Sequence, residues 1–138
     1  MATNETVHAR PCSGCPYRKD CPSGVWHRSE YEKLAEYDQE TALQPIGVFL
    51  CHDGDRESTL CRGWLDCHDK SQLLALRIAV SMGRCDQKIF KLPASPVPVF
   101  ESGTEAMKHG LKRMRRPGKN ASELQSKLLK RHPGLKLE

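Results

Sequence analysis

Seven cysteines fall between Cys12 and Cys85, and two of them, Cys51 and Cys67, are followed directly by His52 and His68. Thiolates with imidazoles suit zinc, and thiolates alone suit zinc or an iron–sulfur cluster. Cys12-Ser-Gly-Cys15 has the CxxC spacing that lets two thiolates from one tight turn meet a single ion. A redox pair of the thioredoxin type is the competing reading, but it wants a helix starting at the second cysteine. Pro16 and the polar residues after it fit a metal knuckle instead. Cys51 and Cys61 complete the predicted set of four thiolates. A wider set of Cys21, His52, Cys67, His68 and His109 could extend the shell or hold a second ion. A histidine beside a ligand also serves to orient it, and a cysteine also serves as a small buried residue, so these five stay open.

The composition sets the context for that site. The first residues show no basic stretch leading into an apolar run, and no segment approaches the roughly 18 apolar residues of a membrane span. A cytosolic protein with no membrane partner is expected. Disulfides are disfavoured there, and seven thiols cannot pair completely, which favours ligation. In 138 residues, 38% are apolar and only 6% aromatic, so the core is thin and a metal staple would help it. Patterns of known catalysis are missing: there is no GxSxG, phosphate loop or HExxH, and no His-x-Glu to accompany the Pro11-Cys12-x-x-Cys15 segment as in nucleic-acid deaminases. No catalytic residue is assigned.

Several elements must position these side chains. Ser29 and Glu32 have capping-box spacing ahead of a short helix to about Tyr37, with Tyr31, Leu34 and Ala35 facing inward. Pro45 to Cys51 reads as a strand that delivers Cys51-His52, with a turn at Asp53-Gly54-Asp55. Should a helix already start near Cys61, then Cys61, Trp64, Leu65 and His68 share one face and Cys67 points elsewhere. A central helix is predicted over 71–82, stopped by Gly83. Pro93, Pro96 and Pro98 make 92–100 an extended strap.

The net charge of +5 is uneven. Residues 103–138 carry ten Lys/Arg against three acids, or +7, whereas residues 1–102 carry 12 against 14, or −2. In the C-terminal stretch, Met107, Leu111 and Met114 form a narrow stripe on a helix over 104–116. Pro117-Gly118 breaks it, and Asn120 with Glu123 can cap a second helix carrying Leu124, Leu128 and Leu129. Lys108, Lys112, Arg113, Arg115, Arg116, Lys127, Lys130 and Arg131 offer a surface for nucleic acid or an acidic protein. The same residues could simply solvate a helical hairpin.

Arg10-Pro-Cys12-Ser-Gly-Cys15-Pro-Tyr-Arg18, Pro22-Ser-Gly-Val-Trp26, Val48-Phe-Leu-Cys51-His52, Cys61-Arg-Gly-Trp64-Leu-Asp-Cys67-His68 and Ser95-Pro-Val-Pro-Val-Phe100 through Ala106 occur in one order. In this the chain resembles a family of small cysteine-rich proteins of actinobacteria and their phages, a domain of unknown function, over residues 10 to about 110. Cys21 and Cys85 lie outside that pattern. The segment from Cys12 to Cys21, followed by Gly24-Val-Trp26, is also similar to the cluster region of WhiB-like iron–sulfur regulators, which carry a further cysteine upstream of the CxxC. Here a cluster would recruit Cys51 or Cys61.

The expected architecture is α+β: a small, irregular, metal-nucleated single domain with a cysteine-rich body (1–102) and a basic C-terminal helical arm (103–138). The expected function is that of a small zinc-binding accessory or regulatory protein, phage-encoded by the resemblance, that contacts nucleic acid or a nucleic-acid machine through its basic tail. A redox-responsive iron–sulfur protein and a protein-only adaptor with a structural metal are the alternatives.

Overall fold

The computed structural model describes residues 6–51 and 59–132, so the expected turn at Asp53-Gly54-Asp55 lies outside the described residues. Among the described residues the chain forms five α-helices and a two-stranded sheet, an α+β single domain. No helix there is long and apolar enough to cross a membrane.

The sheet is minimal. β1 (Thr6–Val7) pairs in parallel with β2 (Thr59–Leu60), Thr6 beside Thr59 and Val7 beside Leu60. On its other side β2 meets the expected strand only through an antiparallel bridge between Leu50 and Leu60. The run from Pro45 is otherwise irregular, and Gly47 and the exposed Ile46 show why: half of it has no partner surface to cover.

α1 (Arg28–Glu36) buries Tyr31 and Leu34. Its cap is His27, whose Nδ1 accepts from the Ser29 N–H at 3.1 Å, so the helix starts ahead of the position that the capping box predicts. α2 (Arg62–Cys67) starts directly after Cys61, and Trp64 and Leu65 are fully buried. Arg62 and Asp66 form a buried ion pair at 3.0 Å. Arg62 also donates to the His8 and Pro93 carbonyls, and Asp66 accepts from the Ser95 N–H, so this pair fastens the N-terminal segment and the proline strap to α2.

The predicted central helix is shorter than expected: α3 spans Leu74–Ser81, behind a 3₁₀ turn at Lys70–Gln72. Asp69 caps that turn, and the Gln44 side-chain oxygen takes the Leu74 N–H at 3.0 Å, so Leu73 is left extended between the two. Gly83, at φ +76°, ends α3 as predicted, with the Arg84 N–H returning to Ala79 and the Gly83 N–H to Val80. The strap behaves as expected, Val99 bridging to Arg18 and the Phe100 N–H donating to the Tyr17 carbonyl.

α4 (Gly103–Leu111) stops before the predicted basic stretch is complete and buries Gly103, Ala106 and Gly110, leaving Met107, Leu111 and Met114 only partly covered. These small residues let α4 lie close on α1; a Cβ on Gly110 would collide with the Tyr31 ring. α5 (Lys119–Arg131) begins at Gly118 with no side-chain cap, so Asn120 is inside the helix and not its cap. It buries Ala121 and Leu128, and Gln125 donates to the Gly24 and Val25 carbonyls. Among the described residues, α4 thus packs on α1 and α5 on the Gly24–Val25 loop.

Candidate metal centre

From Pro11 to Trp26 the chain is a succession of turns. The Cys15 N–H reaches the Cys12 carbonyl at 2.9 Å, Arg18 N–H reaches Cys15 at 3.1 Å, and Cys21 N–H reaches Arg18 at 3.2 Å. Arg18 grips the loop from outside, holding the Asp20 carboxylate through two bonds of 2.7 Å and the Pro11 carbonyl at 3.1 Å. Trp26 packs beneath it as expected of a core residue, its Nε1 donating to the Gly14 carbonyl.

α2 sets Cys61 against this knuckle. Cys61 is the helix cap, and its sulfur accepts from the Trp64 N–H at 3.4 Å. Gly63 allows the approach: a Cβ there would stand 2.5 Å from Cys15 Sγ and 2.7 Å from Tyr17 Cβ. The Cys15 and Cys61 sulfurs lie 3.7 Å apart, both buried. A disulfide would need about 2.05 Å. Two thiolates bound at ~2.3 Å to one tetrahedral zinc stand ~3.8 Å apart, so the spacing fits a shared ion. Burial pushes the Cys15 thiol well above its usual pKa, opposed by a hydrogen bond from Cys12 and by the Tyr17 N–H, and reinforced by Cys61. The Tyr17 N–H at the Cys15 sulfur opposes that rise without overcoming it, so a bound cation would have to displace the proton.

Cys51 reaches the same region through the β ladder. Its N–H donates to the Thr59 carbonyl and the Cys61 N–H to the Phe49 carbonyl, both at 2.8 Å, around the Leu50–Leu60 bridge. Alternation along a strand places residues 49, 51, 59 and 61 on the face opposite Leu50 and Leu60, with Cys51 diagonal to Cys61, a separation of roughly 7 Å between backbones. Among the described residues, no three or more His, Cys, Asp or Glu side chains already close into a metal shell. His52 lies outside the described residues.

The family model of unknown function DUF6283 matches residues 7–131. The chain belongs to that family. No curated protein and no solved structure matches it. The match extends beyond the stretch of 10 to about 110 that the sequence motifs suggested, and takes in α4 and α5.

In the DUF6283 chain, the described members of the wider ligand set each meet partners of their own. His68 donates from Nδ1 to the Trp64 carbonyl at 2.7 Å and turns Nε2 to Asp38 at 3.3 Å, while its ring packs against Tyr17 and Tyr37. Cys67 is partly buried near Asp38 and Glu105; burial, with those carboxylates adding, pushes its thiol up to about 12. Cys21 is likewise pushed up to about 12 by burial, with Asp20 adding, and its carbonyl takes the His109 Nε2 bond at 2.7 Å. His109 thus meets the backbone of Cys21 and stacks near Phe100. Sequence reasoning missed Gly63, although a glycine in the first turn of a helix is a signal of close approach, and it missed the buried Arg62–Asp66 pair, which reads as a surface ion pair. The nine Lys and Arg side chains from Lys108 to Arg131 are all exposed.

Proposed function

We propose that this is a small zinc-binding protein in which Cys12, Cys15, Cys51 and Cys61 hold one structural ion, and which contacts nucleic acid through the basic surface of α4 and α5. The 3.7 Å spacing of the Cys15 and Cys61 sulfurs carries the metal reading. It joins two parts of the chain distant in sequence, the knuckle and the start of α2, at the separation a tetrahedral ion imposes. Cys12, which hydrogen-bonds the Cys15 thiol, and Cys51, on the adjoining ladder, would supply the remaining two ligands. The ion would then add to a core poor in aromatic residues, because its binding energy enters folding directly.

The nucleic-acid reading rests on charge. The body is slightly acidic, while residues 103–138 carry +7 with their cations in solvent. Neutralising backbone phosphates releases counterions and gives affinity without sequence preference. Elemental analysis of anaerobically purified full-length protein tests the first part. One zinc per chain, and a tetrahedral thiolate spectrum after cobalt exchange, support it; a brown iron-containing protein would replace zinc with a cluster. Retention on DNA and RNA at low salt, lost steeply as salt rises, tests the second, and binding to neither leaves an acidic protein as the partner of this surface.

A further inference from the structure

The end of α4 and the start of α5 enclose a cleft of about 780 Å³ floored by Pro22 and Ser23. Lys112 and Arg113 line one wall and Lys119 the other, with His109 at its side, and none of the lining residues is acidic. Among the described residues, neither Lys112 nor Arg113 has a carboxylate partner within ion-pair distance. Lys119 lies 3.9 Å from Glu123 in an exposed pair, and so is weakly held.

The backbone around the cleft is fixed. The Gly24 N–H donates to the Gly110 carbonyl at 2.9 Å, which covers one of the carbonyls that would otherwise repel an anion at the end of α4. Gly24, at φ +77°, sits so near α4 that a Cβ would lie 2.8 Å from the Arg113 carbonyl. Gln125 of α5 holds the same loop through the Gly24 and Val25 carbonyls. Both walls are therefore tied to one loop, and the three cations face a common space without having to be gathered there. A concave surface concentrates their field more than the same charges spread over a convex helix. The opening turn of α5, uncapped by any side chain, adds donors of the same polarity.

We infer that this cleft is where a nucleic-acid phosphodiester docks, with Lys112, Arg113 and Lys119 as its cationic ligands. The inference rests on the nucleic-acid reading above and narrows it from a surface to a site. Lys127, Lys130 and Arg131 provide the control, since they lie 8 to 12 residues along α5 from Lys119, about 12–18 Å at 1.5 Å per residue.

The test compares full-length protein with two triple variants of equal charge loss, Lys112→Ala/Arg113→Ala/Lys119→Ala and Lys127→Ala/Lys130→Ala/Arg131→Ala. Fluorescence anisotropy on a labelled oligonucleotide is measured across a salt series. The cleft variant is expected to bind at least tenfold more weakly than the distal one, and its salt slope to fall by about 0.9 for each duplex-DNA phosphate that is no longer neutralised. Equal weakening by both triples overturns the site while leaving nucleic-acid binding intact. No binding by the parent protein overturns both readings. Calorimetry with inorganic phosphate separates the sources: saturable phosphate binding without oligonucleotide binding would make the ligand a small phosphate and refute the phosphodiester. Should the cleft triple unfold, Lys112→Gln alone decides, with at least a threefold loss expected and an unchanged affinity contradicting the inference.

Discussion

Replacing Gly63 with Ala places one methyl group between α2 and the cysteine knuckle. The new Cβ would stand 2.5 Å from Cys15 Sγ and 2.7 Å from Tyr17 Cβ. Both are roughly 1 Å inside the ~3.5–4 Å at which such atoms attract. Neither neighbour can retreat, since Cys15 and Tyr17 are fully buried and the knuckle is pinned by its turns and by the strap. Alanine in a helix would gain up to ~1 kcal/mol over glycine. Overpacking costs ~1–3 kcal/mol, and an overlap this severe belongs at the upper end, so the net change after the helix gain is about 2 kcal/mol of destabilisation. For a chain of this size that corresponds to a fall in Tm of roughly 3–10 °C. Thermal melts by circular dichroism read the effect, with Gly47→Ala as the control, because nothing lies within 4 Å of a Cβ at Gly47. The control is expected to change by no more than about 0.5 kcal/mol. Cobalt exchange in the same samples reports whether the Cys15–Cys61 spacing has widened. Gly63→Ala protein that melts with the parent and keeps its thiolate spectrum would refute the packing of α2 on the knuckle.

Serine at Cys12, Cys15, Cys51 or Cys61 is expected to abolish zinc retention, whereas Cys21→Ala, Cys67→Ala and Cys85→Ala keep it; elemental analysis separates the two groups. Asp66→Ala leaves Arg62 buried without its carboxylate and should cost about 3–5 kcal/mol in chemical denaturation. Burial acts to raise the Asp38 carboxyl, but donors from the Thr104 hydroxyl and the Gly103 and Thr104 N–H groups, with His68, outweigh it and hold the pKa below the usual range. A depressed folded pKa contributes fully above the unfolded value of about 3.9 and is lost as pH falls through the folded value, so acid melts below pH ~4 should show a loss that Asp38→Asn lacks. Chelation is expected to weaken oligonucleotide binding as well as stability, read by anisotropy at constant salt.

The parts of this fold that were legible in the sequence depend on local chemistry. The CxxC turn, the glycine stop after α3, the proline strap and the start of α2 at Cys61 all follow from a few adjacent residues. What could not be read depends on a distant partner. Met107, Leu111 and Met114 look like the buried face of α4, yet Tyr31 claims the space above Gly110 and draws the small residues inward instead. The pairing of Thr6–Val7 with Thr59–Leu60 spans two residues, too few to leave a periodic signal. His68 stands beside a cysteine as a ligand would, and only the folded chain shows both its nitrogens turned to Trp64 and Asp38.

The loop from Pro11 to Trp26 is where these elements meet. α2 touches it through Gly63, the strap through Arg18 and Val99, α4 through Gly110 and His109, and α5 through Gln125 and through Leu128, which lies 3.3 Å from a Cβ built on Gly14. The turns fix the loop's local shape, but its position relative to the helices depends on all of these contacts together. A shared ion at Cys15 and Cys61 would hold one end of it, and the walls of the basic cleft close on the other, at Pro22 to Gly24. The two proposals are therefore mechanically linked through this one loop, and removing the ion would loosen the cleft without touching any of its cations.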